Sequence, residues 1–372
     1  MIKKIVLLHV YFFFIYIPFQ SSFADIDGCE KVWSVENVKI DETSDDVTIS
    51  RTKGFEKAAS LAISTLFKRI ITTPYGEEDK DIPILNKDEV EKLIDFKFIK
   101  SETVLSNRFL AEISFCFLSK EIISFLNSKN LSWSELTSSP ILIFPVWKTS
   151  FSTFLWKDPN PWRNAFKQSL NEHNGLSLQI LPEGRIGVQR SIDSNLAIKQ
   201  NKKAISGAIK RGQARRAVIT LAEISNKDTD GYDITINANL YNLDGELQGT
   251  IYSQTFSIEK ENLDNSLKKY SKIIINSMEK RWKQANISTN EIERIIYINI
   301  KSKSFKSWSK GIETLQNLPG VIKVSSKSLT YDGGLLEVKF LGDENKLISI
   351  MLEKNIPISG TRKKIIINSE KL

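Results

Sequence analysis

Histidine is almost missing from this 372-residue chain, which has two, His9 and His173. A Ser-His-Asp or Cys-His nucleophile system would have to use one of them, and neither lies in a recognisable motif. A histidine-rich metal centre is excluded on the same count. Cysteine is as scarce: Cys29 and Cys116 are too few for a disulfide framework or a cysteine-rich metal site. No Walker sequence or dinucleotide fingerprint is present, so no cofactor is expected. Beyond the first two dozen residues no apolar run is long enough to cross a bilayer.

What is present begins with an address. Lys3 and Lys4 precede an apolar run from Ile5 to Phe19, and Ser22-Phe23-Ala24 follows, its first and last residues small as an export peptidase reads them. As a helix, Ile5 to Phe19 spans about 22 Å, short of a hydrocarbon core of roughly 30 Å. A signal peptide over residues 1–24, cleaved after Ala24, is therefore expected, and with it a periplasmic location. An uncleaved anchor is the alternative. A lipid-modified Cys29 is disfavoured by Asp27 close before it. In an oxidising compartment Cys29 and Cys116 can bridge, although Cys116, flanked by Phe115 and Phe117, reads equally well as a small buried strand residue.

The formal charge of +8 falls to +6 once Lys3 and Lys4 leave. Such an excess suits anionic envelope surfaces, or simply reflects a Lys-rich composition; nucleic acid is not an expected partner of an exported chain. The densest cluster is Lys199, Lys202, Lys203, Lys210, Arg211, Arg215 and Arg216. It reads as a solvated helix face with Ile198, Ile205 and Ile209 beneath it, or as a surface, centred on Lys210 and Arg211, for anionic lipid or polymer.

The mature length exceeds what one core usually serves, and three modules are expected. Residues 25–138 form a small α+β module: Phe55, Ala59, Ala62, Leu66 and Ile70 fall at helical spacing, Leu85 to Ile99 reads as a second helix, and Phe109 to Phe117 alternates as a strand. Residues 139–288 form an α/β mixed-sheet domain. It opens with the doubly buried strand Ile141-Leu142-Ile143-Phe144, has a hairpin turn at Asp244-Gly245, and closes with a helix carrying Leu267, Ile274, Met278 and Trp282 on one stripe. Residues 289–372 read as a ferredoxin-like βαββαβ domain whose last strand is Ile356 to Ile358.

Candidate chemistry is thin. Carboxylate-only or Ser/Lys catalysis needs a geometry that sequence does not display. Asn226 to Gly231 opens like a calcium loop, but Asn237 stands where a bidentate Glu belongs, and no metal site is expected. His173, beside Gly175, reads as a solvated residue at a helix end. The most distinctive string is Trp156-Lys157-Asp158-Pro159-Asn160-Pro161-Trp162. Asn160 and Pro161 are a good helix cap and first residue. The tryptophans either fill the core or, with Trp147, form an aromatic rim around a ligand or partner site.

That string, with Phe144-Pro145-Val146, Leu155-Trp156, Leu181-Pro182-Glu183-Gly184, Trp282-Lys283, Trp308 and Gly320, resembles an exported proteobacterial family, domain of unknown function 2066, in its alphaproteobacterial branch. Arg185 departs from the acidic residue expected after Gly184. The middle region is also similar to the amino-terminal domain of the translocation protein TolB. The resemblance implies a Gram-negative envelope protein and supplies no catalytic residues. The expectation is a non-catalytic periplasmic binding or assembly factor with an envelope protein partner. An enzyme acting on an envelope polymer, and the same binding protein tethered by an uncleaved signal, are the alternatives.

Overall fold

The computed structural model describes residues 28–78, 81–226, 231–288, 293–361 and 364–372. The leader and the centre of the calcium-like loop, residues 227–230, lie outside the described residues. The fold is a multidomain α+β assembly with three separate sheets.

The first sheet holds β1 (Ser34–Thr43), β2 (Ile94–Leu105) and β3 (Arg108–Phe117) in the order β1-β3-β2, all antiparallel. Helix α1 (Val47–Ile70) is started by the Asp46 side chain, which accepts from the Ile49 N–H at 2.9 Å. It lays Ala58, Ala62, Leu66 and Ile70 over Phe109, Ile113 and Phe115 of β3. Gly54 lets helix and strand close up, since a side chain there would run into the Phe109 ring. Helices α2 (Lys87–Leu93) and α3 (Ser119–Ser128) complete the module.

The expected helix from Leu85 to Ile99 is corrected: it stops at Leu93. Asn86 and Glu89 form a reciprocal capping box that begins α2, but from Ile94 the chain extends and pairs with β3 from Phe117 back to Arg108. Ile94, Phe96 and Phe98 alternate with Asp95 and Lys97 at the period of a strand, and pairing with β3 takes the segment out of the helix. A second observation concerns the cysteines: Cys29 and Cys116 are joined in a disulfide that pins the N-terminal segment to the end of β3.

The central sheet contains β4 (Ile141–Lys148), β5 (Thr153–Phe154), β6 (Gln179–Ile180), β7 (Arg216–Asn226), β8 (Gly231–Tyr241) and β9 (Leu247–Glu259). The order is β5-β4-β7-β8-β9 with β6 beside β4; β4 runs parallel to β6 and β7, and the remaining pairs are antiparallel. The mixed sheet expected from the sequence is thus present. Alternation along β4 sends Ile141, Ile143 and Trp147 to one face and Leu142, Phe144 and Val146 to the other. Helices α4 (Pro161–Asn171) and α8 (Leu263–Ala285) cover the first face; α5 (Ile186–Gln189), α6 (Ser194–Ile198) and α7 (Lys202–Arg211) cover the second.

The third sheet joins β10 (Glu293–Lys301), β11 (Val321–Thr330), β12 (Gly333–Leu341), β13 (Ile358–Thr361) and β14 (Lys364–Asn368) in the order β11-β12-β10-β14-β13, with α9 (Phe305–Gln316) and α10 (Glu344–Glu353). The ferredoxin-like expectation needs one correction. The strand after α10 is the outer edge of the sheet, and a further strand, β14, inserts between it and β10 and runs parallel to β10. The signal was Ile365-Ile366-Ile367, a short run whose first and last members are buried.

Polar staples tie the modules together. The Trp282 indole donates to Leu136 O at 2.6 Å, Lys283 Nζ donates to Ile71 O at 2.8 Å, and Trp133 bridges both Ile71 and Ser288. Glu353, at the end of α10, pairs with Arg216 on β7 at 2.6 Å and accepts from the Ser139 N–H at 2.9 Å. Burial would push the Glu353 carboxyl up, but the bonds from Arg216 and Ser139 outweigh it and hold it below the usual range.

Candidate functional site

The sole histidine of the expected mature chain is not solvated. His173 follows α4, and its side chain is 13% exposed against Glu279 of α8, which is 11% exposed. His173 Nε2 lies 3.5 Å from Glu279 Oε2 and 3.3 Å from Ser177 O. Glu279 accepts from the N–H groups of Leu176 and Ser177, each at 2.8 Å, and from the Ser177 hydroxyl. Burial alone would push its carboxyl up, yet the bonds from His173, Ser177 and Leu176 prevail and hold it at about 2. Gly175 is required here because any side chain would collide with the Glu279 carboxylate and the His173 ring.

Arg69 of α1 completes the junction. Its guanidinium donates to the carbonyls of Lys31, Val32, Ser34 and Asn174 and to Asn174 Oδ1, and burial lowers its pKa to about 10. These groups line a cleft of about 360 Å³ together with Lys68, Glu172 and Lys272. It holds an imidazole and a carboxylate, and the Ser177 hydroxyl behind them is in no catalytic order: it donates to Glu279 rather than to His173, and Ser177 is buried outside the cleft's lining. The arrangement fastens α1 to α8 and to the loop between α4 and β6. One other carboxyl, Glu135, is pushed up by burial, but it lines neither this cleft nor the one described below.

The aromatic-rim expectation is overturned for Trp147 and Trp162, which are both buried on the α4/α8 face of the central sheet. The Trp162 indole donates to Thr220 Oγ1 at 3.0 Å and meets Phe166 edge-on. Trp156 is half-buried on the opposite face, edge-on to Phe144, and donates to Ile192 O at 2.7 Å. Asn160 is buried as well: its Oδ1 caps α4 through the Arg163 N–H at 2.9 Å, and its Nδ2 donates to Pro145 O at 3.0 Å. Every indole in the string has a hydrogen-bond partner inside the protein, so none is left to meet a ligand.

Lys210 and Arg211 are exposed at the end of α7, as the solvated-face and surface readings both require. Arg216 is not part of that face, being paired with Glu353. Among the described residues no group of three or more His, Cys, Asp or Glu is placed to hold a metal ion, and no helix is long and apolar enough to cross a membrane.

The feature that sequence reasoning missed is the free edge of the first sheet. β2 carries Phe96, Phe98, Val104 and Leu105, respectively 37, 56, 49 and 51% exposed. Among the described residues its outer backbone has no strand beside it. A groove of about 520 Å³ runs alongside between α1, α2 and β2, floored by Phe55, Ala59, Val90, Ile94 and Phe115 and rimmed by Glu56, Glu91, Asp95 and Lys97.

No protein-family model matches the chain, and no curated protein matches it by sequence. Among solved structures it is similar to a lipoprotein, GNA1162 from Neisseria meningitidis, at 13% identity and TM-score 0.26, over 38% of this chain and 97% of that one. It is also similar to the LpoB C-terminal domain from Salmonella enterica at 14% identity and TM-score 0.22, over 34% and 85% of the two chains. PelC from Paraburkholderia phytofirmans matches at 6% identity and TM-score 0.23, over 38% and 90%. Likenesses this weak say nothing of function.

Proposed function

We propose that the protein is an exported, non-catalytic binding or assembly factor of the Gram-negative envelope, working in the periplasm through a protein partner. The observation that carries this reading is the β2 edge. A strand with no neighbour on its outer side among the described residues and with four exposed apolar side chains is a template for an added strand, and the groove beside Ile94 to Lys97 gives a side chain at that end of it a place to go. Such an edge in a monomer is an aggregation hazard unless it is guarded or used. β2 is guarded from Ile94 to Ser101, by bulges before Phe96 and Ser101 and by Lys97 and Lys100. The remaining residues, Glu102 to Leu105, stay open to a partner's extended segment.

Export is supported by the leader's charge and apolar run and by the Cys29–Cys116 bridge, a bond that persists in oxidising compartments. A non-catalytic role is supported by the engagement of His173, Ser177 and Glu279 with one another as a structural tie. The test is crosslinking of tagged protein in its native host. A Phe98→Lys/Leu105→Lys variant with unchanged circular dichroism and melting temperature is expected to lose a partner that the wild type captures; capture of the same set by both would contradict the reading.

A further inference from the structure

The short helix α5 and helix α7 lie side by side on the outer face of the central domain. Gly187 and Gly207 leave the space across which the Arg211 side chain runs, and its guanidinium reaches Ser191 Oγ at 2.6 Å. Arg185, just before α5, donates to Gly212 O at 2.7 Å, just after α7. Two arginines are thereby fixed at one end of the pair. Lys203, Lys210 and Arg211 share one face of α7 by helical spacing, and Arg190 ends α5. All of these side chains are exposed.

Two further observations separate this face from an ordinary solvated one. Its neighbours are neutralised: Lys202 pairs with Glu246 at 2.6 Å and Lys167 with Glu183 at 3.0 Å, and Arg163 pairs with Asp158. Arg185, Arg190, Lys203, Lys210 and Arg211 have no ion-pair partner among the described residues, and neither α5 nor α7 contains an acid. In the midst of these cations, at the start of α5, stands Ile186, 61% exposed.

We propose that the α5/α7 surface docks on an anionic lipid bilayer, the five cations meeting headgroup phosphates while Ile186 enters the boundary of the acyl chains. The cations alone would serve a lipid or a soluble anionic polymer equally. The exposed aliphatic side chain selects the lipid, because a polymer offers it nothing to be buried in. This surface lies on a different domain from β2 and stands or falls independently of the strand-addition reading.

The experiment uses the purified mature protein alone, with vesicles of phosphatidylcholine containing about one third phosphatidylglycerol and with vesicles of phosphatidylcholine only. The expected result is sedimentation with the anionic vesicles only, abolished by about 0.5 M NaCl. Lys203→Gln/Lys210→Gln, which leaves the fixed arginines in place, should weaken it roughly thirtyfold. Ile186→Ser should weaken it about tenfold while keeping the salt dependence. Lys120→Gln/Lys323→Gln, removing two exposed cations from other domains, should bind as wild type. Circular dichroism identical to wild type qualifies each variant. Absence of wild-type binding to the anionic vesicles, or equal binding by the Lys203/Lys210 variant, overturns the proposal. Unchanged binding by Ile186→Ser overturns the assignment to lipid.

Discussion

Trp162 and Glu279 both sit on the inward face of a helix, and each shows what a residue's neighbours decide that its identity does not. The Trp156 to Trp162 string reads as core or as rim, and the outcome turns on whether each indole N–H finds an acceptor inside: Thr220 and Ile192 supply them. Trp162→Ala should therefore cost about 3–5 kcal/mol of stability in urea unfolding; an unchanged midpoint would return Trp162 to the surface. Asn160→Ala removes a cap and a buried bond together, and about 2 kcal/mol is expected. Glu279 is not singled out by the sequence, because its partners come from a loop some hundred residues away, which no local pattern reveals. Its folded pKa, about 2, lies below the ordinary 4.5. Its contribution is therefore complete above about pH 4.5 and is lost as pH falls toward 2, on the order of 3 kcal/mol in all. Glu279→Gln should flatten the acid limb of a stability-versus-pH curve; an unaltered limb would show that the carboxylate is not bonded as described.

At the scale of elements, periodicity served where one face is buried and failed where tertiary pairing competes with it. The continuous apolar run of β4, the cap of α4 and the Asp244-Gly245 turn were all readable, and all are present. The segment after Leu93 is misread although Ile94, Phe96 and Phe98 alternate with Asp95 and Lys97 as a strand's residues do, because the capping box at Asn86 and the apolar residues Val90 and Leu93 carry the helical reading past its true end. The bridge from Cys29 to Cys116 was one of two open readings, since sequence cannot place two cysteines in space; it ties a leading segment without regular structure to β3 across a separation of 87 residues. Loop-closure entropy assigns such a link about 4–5 kcal/mol. Cys29→Ser/Cys116→Ser should lower the urea midpoint accordingly, and reductant should reproduce the effect in the wild type but not in the variant. Equal midpoints for oxidised and reduced wild type would contradict the assignment.

Across the whole molecule, the mixed α+β character could be read from composition and turn signals, but not the polar groups between the sheets, nor the apolar core that runs on from the first sheet to the third. Arg69, Glu279 and Glu353 are charged residues withdrawn from water between the sheets, where each is matched by several hydrogen bonds, and Arg216 pairs with Glu353. Removing one partner of such a set leaves the other buried and unpaired. Glu353→Gln is expected to cost about 3 kcal/mol and to raise amide exchange in α10 and at the start of β7 before the first sheet responds; uniform exchange throughout would mean that the modules unfold as one unit. The two surfaces left unsatisfied by this architecture, the β2 edge and the α5/α7 cations, lie on different modules, so a protein partner and a bilayer need not compete.

The central claim is that the β2 edge receives a partner strand. It is tested most directly by placing a photo-crosslinking amino acid at Phe98 or Leu105 in the native host, with Tyr75, 93% exposed elsewhere on the same module, as the control position. The account predicts one defined envelope protein captured from both β2 positions and absent from Tyr75. The same diffuse products from all three positions would contradict it.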